Sequence, residues 1–221
     1  DTWLYYPLLT SLMLAADRVD STTGIQMAFL KQWASRSYAS LTLKDPGLLA
    51  GSGVALQQDA TLAPATLPPM DLAYLDPPYN QHRYFANYHI WETLVRWDKP
   101  ESYGIANKRI DVRDAATKSP FNSKKTMADA LETLITQLQC ETLILSYNNE
   151  SWLSRDQLEH ICGSKGAVRV LDFDFKRYVG SQIGVYNKVG VKVSEPKHAR
   201  NIEHLVIAGP KDIVARMANA L

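Results

Sequence analysis

The 221 residues carry 24 Lys and Arg against 23 Asp and Glu, with 46% hydrophobic and 21% charged residues. That usage belongs to a globular chain rather than a disordered or fibrous one. A net charge of +1 means that any polyanionic partner must be met by local basic groups, not by the total.

Residues 3–39 read as helical. Leu8, Leu9, Leu12 and Met13 recur at helical spacing, and beyond a turn at Asp20 to Gly24 a second run passes through Ile25, Met27, Phe29, Leu30 and Trp33. Residues 40–70, with Pro46, Pro64, Pro68, Pro69 and Gly51-Ser52-Gly53, read as connecting structure. A short apolar run, Leu72 to Leu75, then lies between Asp71 and Asp76-Pro77-Pro78. Its length and punctuation predict a strand buried on both faces of a sheet. Met127, Leu131, Leu134, Ile135 and Leu138 mark a helix ahead of a second such strand, Thr142 to Ser146. Ser154 and Gln157 have capping-box spacing ahead of Leu158 and Ile161. Val168 to Phe175 alternates as a strand, and His204 to Ala208 closes the pattern.

Strands separated by helices of this length predict an α/β fold with a mostly parallel sheet. Ligands of such sheets bind beyond the carboxyl ends of the strands, which directs attention to the residues after Leu75 and Leu145. The two cysteines, Cys140 and Cys162, belong to no Cys-x-x-Cys pair. They indicate neither a metal clamp nor a disulfide framework, so a reducing, cytoplasmic setting is expected. No apolar run approaches the roughly 20 residues of a membrane span, and no signal peptide is expected.

Asp76-Pro77-Pro78-Tyr79 is the chemically distinctive segment. Two successive prolines cannot donate backbone hydrogen bonds, and each fixes its own φ, so the chain becomes a stiff turn that exposes carbonyl oxygens. A carboxylate at the start of that ledge and an aromatic ring at its end suit a planar group bearing an amino nitrogen. Asp76 and the Pro77 carbonyl each accept one N–H, and Tyr79 stacks on the ring. Proline and aspartate also favour plain surface turns. The position directly after a buried strand favours the site.

The stretch from Asp71 to Leu94, DLAYLDPPYNQHRYFANYHIWETL, resembles the adenine-specific DNA methyltransferases of the D12 class, to which the Dam-type enzymes belong. The likeness continues through LILSYNNESWLS, KRYVGSQIGVYN and NIEHLVI, and covers most of the chain from Asp59 onward. It implies a Rossmann-like fold with an antiparallel last strand and a helical insertion, S-adenosylmethionine as cofactor and double-stranded DNA as partner. It also implies Asp76, Pro77, Pro78 and Tyr79 as the catalytic turn. The reaction would be methyl transfer to N6 of an adenine flipped out of the duplex, in a restriction-modification or orphan setting. The division expected is a helical region over residues 1–55, for target recognition or as an insertion, and a catalytic core over 56–221.

By the same resemblance, Asp59 matches the acidic residue that bonds the cofactor's adenine amine, with Asp76 and Pro77 beside it. On its own, an aspartate there reads as a cap. The family's Gly-rich cofactor loop is expected upstream and is not visible in the sequence, so the fold is expected to be incomplete at the N-terminus.

Asn80, His82, Arg83, Phe85 and Tyr88 follow the ledge. His82 and Arg83 suit contacts to flanking phosphates or bases; Phe85 and Tyr88 suit either a base pocket or a packed core. Asn148 suits substrate or a turn, and Lys176 and Arg177 suit phosphate or a solvated loop. Further basic groups are Lys108, Arg109 and Arg113; Lys118, Lys124 and Lys125; and Lys188, Lys192, Lys197 and Arg200. No metal is expected. The rival readings are an RNA or cytosine-N4 amino methyltransferase, and a catalytically inert nucleic-acid-binding module.

Overall fold

The computed structural model describes residues 2–22, 24–26, 32–176, 185–186, 192–194 and 200–221. In chain order the elements are α1 (Tyr5–Val19), α2 (Ala63–Thr66), β1 (Met70–Leu75), α3 (Tyr84–Asn87), α4 (His89–Arg96), β2 (Ser102–Tyr103) and β3 (Lys108–Arg109). There follow α5 (Met127–Gln137), β4 (Cys140–Asn148), α6 (Arg155–Cys162), β5 (Ala167–Lys176), β6 (Val185–Tyr186), β7 (Lys192–Ser194), β8 (Arg200–Gly209) and α7 (Lys211–Ala220). The chain packs as two units, Asp1–Ala55 with Arg83–Lys118, and Leu56–His82 with Ser119–Leu221.

The second unit is built on a four-stranded sheet in the order β1-β4-β8-β5. β1 is parallel to β4, and β8 is antiparallel to both β4 and β5. Three strands therefore run one way, and the last strand in the chain is inserted against them. Alternation along β4 sends Leu143, Leu145 and Tyr147 to one face, where α5 and α6 bring Leu131, Ile135, Leu158 and Cys162 against them; all of these are fully buried. Burial of each such side chain contributes roughly 1.5–3 kcal/mol. α6 starts where the sequence predicts, with Ser154 and Gln157 closing a reciprocal capping box.

β8 leaves the sheet at Gly209, whose φ of +153° brings Cα close to the neighbouring strand. A Cβ there would lie 2.8 Å from the Glu141 carbonyl oxygen, so only glycine fits. α7 packs against β5 and β8, an element beyond those that the sequence pattern predicts.

β1 departs from expectation. Ala73 is buried, but Leu72 and Tyr74 are 49% and 59% exposed, so the strand is buried on one face only. β1 ends the sheet with β4 as its neighbour there, and the side chains on its second face are only partly covered.

In the first unit α1 buries Ser11 and Ala15, and α4 ends at Trp97, left-handed at φ +52°. The Gln26 N–H donates to the Asn87 carbonyl at 2.7 Å, and the buried His89 ring meets the Gln26 carbonyl through Nε2 at 3.2 Å. Of the second helical run expected here, Met27, Phe29 and Leu30 lie outside the described residues. Among the described residues no helix is long and apolar enough to cross a membrane.

Candidate active site at the carboxyl end of β1

Parallel pairing brings Leu75 of β1 level with Leu145 of β4, so Asp76 leaves the sheet one position on, at the level of Ser146. Asp76 is exposed, and no side chain among the described residues pairs with it. Pro77, Pro78 and Tyr79 are half-buried. The Tyr79 ring packs edge-on against Tyr147, with centroids 6.1 Å apart and planes at 66°.

Tyr147 is a firm backing for that ring, because it is fully buried. Its hydroxyl donates to the Met127 sulfur at 2.8 Å, and burial pushes its phenol well above the ordinary tyrosine range, so it stays neutral. The end of the ledge is held by a second group. Asn122 Nδ2 donates to the Asn80 carbonyl at 2.8 Å and to the His82 carbonyl at 3.2 Å. Asn80 Oδ1 in turn accepts the His82 N–H at 2.9 Å and closes an Asx turn. The ledge is thus fixed at its ring and at its exit, while its carboxylate is left open.

Tyr147 and Asn122 were not singled out in the sequence. Strand alternation around Leu143 and Leu145 marks the face on which Tyr147 lies, but nothing local signals Asn122, whose partners lie some forty residues earlier in the chain.

Asp59 caps the short turn that follows it: Oδ1 accepts from the Thr61 N–H at 2.9 Å and from the Thr61 hydroxyl at 2.8 Å. No bond reaches Oδ2 among the described residues, so one acceptor remains for an amino group. Asn148, the last residue of β4, is 2% exposed, and its Oδ1 accepts the Glu150 N–H at 2.8 Å at the start of the turn that follows. Two residues before it, Ser146 donates its hydroxyl to Glu203 at 2.5 Å. Lys176 closes β5, exposed; Arg177 lies outside the described residues.

The remaining candidates belong to the first unit. Arg83 Nη1 donates to the Val112 carbonyl at 3.0 Å. Phe85 is half-buried with the Arg96 guanidinium 5.8 Å from its ring centroid, and Tyr88 lies against Tyr84 with centroids 6.0 Å apart. His82, at the end of the second unit's ledge segment, is exposed.

The sequence model of the D12 class N6 adenine-specific DNA methyltransferases matches residues 1–161, a span that contains the ledge and both of its supports. The chain belongs to this D12 family. Among curated relatives, the modification methylase StsI of Streptococcus sanguinis is 33% identical over 81% of this chain and 28% of its own length. The type II methyltransferase M.FokI of Planomicrobium okeanokoites is 30% identical over 77% of the chain and 27% of its own. M.NlaIII of Neisseria lactamica is 30% identical over 79% of the chain and 51% of its own. This D12 chain therefore spans about a quarter to about half the length of these relatives. No solved structure matches it.

Proposed function

We propose that this chain carries the catalytic ledge of an enzyme that methylates N6 of adenine in double-stranded DNA, within a restriction-modification setting. The supporting observation is the ledge itself: an open carboxylate that leaves the carboxyl end of β1 into two prolines and a buttressed tyrosine. Asp76 and the Pro77 carbonyl each accept a hydrogen bond from one N–H of the adenine amine, and the nitrogen lone pair is thereby turned outward. Tyr79, held by Tyr147, stacks on the base, which must leave the duplex to reach it.

S-adenosylmethionine, when bound, would supply the methyl group already activated by its sulfonium and leave as S-adenosylhomocysteine, while the surplus proton of the methylated amine would pass to water. Geometry and charge placement then matter more than a strong base. The residues present fit the amino-bearing end of that cofactor, because Asp59 keeps one carboxylate oxygen unbonded among the described residues, in the same unit as Asp76. DNA enters by the same reading, with His82 and Arg83, Asn80, Phe85, Tyr88, Asn148, Lys176 and Arg177 as candidate contacts.

The test is methyl transfer from labelled S-adenosylmethionine to duplex DNA, with mass spectrometry of the product nucleosides. Asp76→Ala is expected to lower transfer at least about a hundredfold, the cost of removing one group aimed at the reacting atoms. The fold should be unchanged, because the side chain is exposed and pairs with no side chain among the described residues. Undiminished 6-methyladenine from that variant would exclude the acceptor role.

A further inference from the structure

β2 and β3 form a hairpin of two residues per strand, with Ser102 opposite Arg109 and Tyr103 opposite Lys108. So short a ladder is weak alone, and a buried side chain holds it. Arg109 is 2% exposed; its Nη1 and Nη2 meet Asp98 at 2.6 and 2.8 Å, Nη2 meets Asp111 at 2.8 Å, and Nη1 meets the Thr93 hydroxyl at 3.1 Å. This arginine is saturated by the protein's own carboxylates and is not available to a phosphate.

Lys108 and Arg113 differ. The Lys108 ammonium is 5.3 Å and the Arg113 guanidinium 4.3 Å from the centroid of the Tyr103 ring. Among the described residues neither is in an ion pair, so one aromatic ring holds two cations without counter-charge. Each lies within the roughly 6 Å over which a ring attracts a cation. Val112, beside Arg113, is buried, and its carbonyl accepts from Arg83 at 3.0 Å, which fixes the backbone there. The turn between the strands presents Ile105, 72% exposed, to solvent.

We propose that this hairpin and Arg113 form a DNA-contacting element, in which Lys108 and Arg113, poised on Tyr103, each take a backbone phosphate. The proposal rests on the reading of the chain as acting on duplex DNA. Two unpaired cations held on one rigid support are pre-positioned for adjacent negative charges. A cation already bonded to carboxylates, like Arg109, would first have to give them up.

The experiment is anisotropy of a labelled mixed-sequence duplex titrated with the full chain at several salt concentrations. Each lost phosphate contact lowers the slope of log K against log salt by about 0.9. The Lys108→Ala/Arg113→Ala double variant should therefore lose about 1.8 of slope and bind about tenfold more weakly at moderate salt. The charge-preserving pair Lys108→Arg/Arg113→Lys should keep the slope, and Lys44→Ala/Lys211→Ala, which removes two exposed lysines elsewhere, should leave it nearly unchanged. If the wild type binds and the double variant keeps its slope, or the distant pair loses as much, the hairpin assignment fails and the methyltransferase reading stands. If the wild-type chain binds no duplex even at low salt, both fail together.

Discussion

His89 is 1% exposed, and burial is the largest influence on it, holding its pKa below the ordinary histidine value of 6.5; Lys108 and Arg109 push the same way, while the bond to Gln26 opposes them. The sign of the consequence is fixed by proton linkage: the unfolded chain binds the proton more readily than the folded one. Stability contributed by neutral His89 is present above the unfolded pKa and is lost as pH falls from about 6.5 toward the lowered folded value. The melting temperature of the chain should fall as pH drops through that window. In His89→Gln, which keeps an N–H donor and cannot titrate, the fall should be shallower. An identical pH profile in the variant would mean that other groups carry the effect. Asp76 to Tyr79 are contiguous, so their chemistry is legible in one tetrapeptide, whereas Asn122 acts on a segment some forty positions away and leaves no local trace.

Among the elements, those with long periodic patterns were the legible ones. The five apolar residues that mark α5 form one face, of which Met127, Leu131, Leu134, Ile135 and Leu138 are all buried, and the capping box sets the start of α6. β4 is buried on both faces as its composition suggests, since Thr142, Leu143, Leu145 and Ser146 are all covered. β1 has the same kind of composition and a different fate, because burial of a strand depends on its place in the sheet and not on its own residues. The β2–β3 hairpin was not legible, since its anchor is an arginine buried by carboxylates, a pairing that no periodicity reports. The contrast between α5 and β1 is measurable with one residue type. Leu131→Ala should cost about 2–5 kcal/mol in urea unfolding, as for a filled core site. Leu72→Ala should cost less than about 1 kcal/mol, as for an exposed one. Equal losses would mean that the half-exposed face of β1 is covered in solution.

Across the whole molecule, the ledge, the sheet that carries it and the turn capped by Asp59 fall in the second unit, so a cofactor response belongs to that unit's stability. The Gly-rich loop expected of the family for the methionine end of S-adenosylmethionine is not evident in the 221 residues, and the chain covers 28% of StsI and 51% of M.NlaIII. Melting as a function of S-adenosylmethionine therefore measures how much of a cofactor site these residues carry. A ligand that binds only the folded state adds about 2.7 kcal/mol at a hundred times its Kd, whatever that Kd is. The midpoint should rise with cofactor concentration in the wild type. In Asp59→Ala the same rise should require several-fold more cofactor if Asp59 bonds the adenine amine as proposed, since one hydrogen bond would then be lost at a net cost of about 1 kcal/mol. A wild-type response that Asp59→Ala leaves unmoved would place the adenine elsewhere. No response at any concentration would mean that the ledge, however well buttressed, does not hold the cofactor with these residues alone.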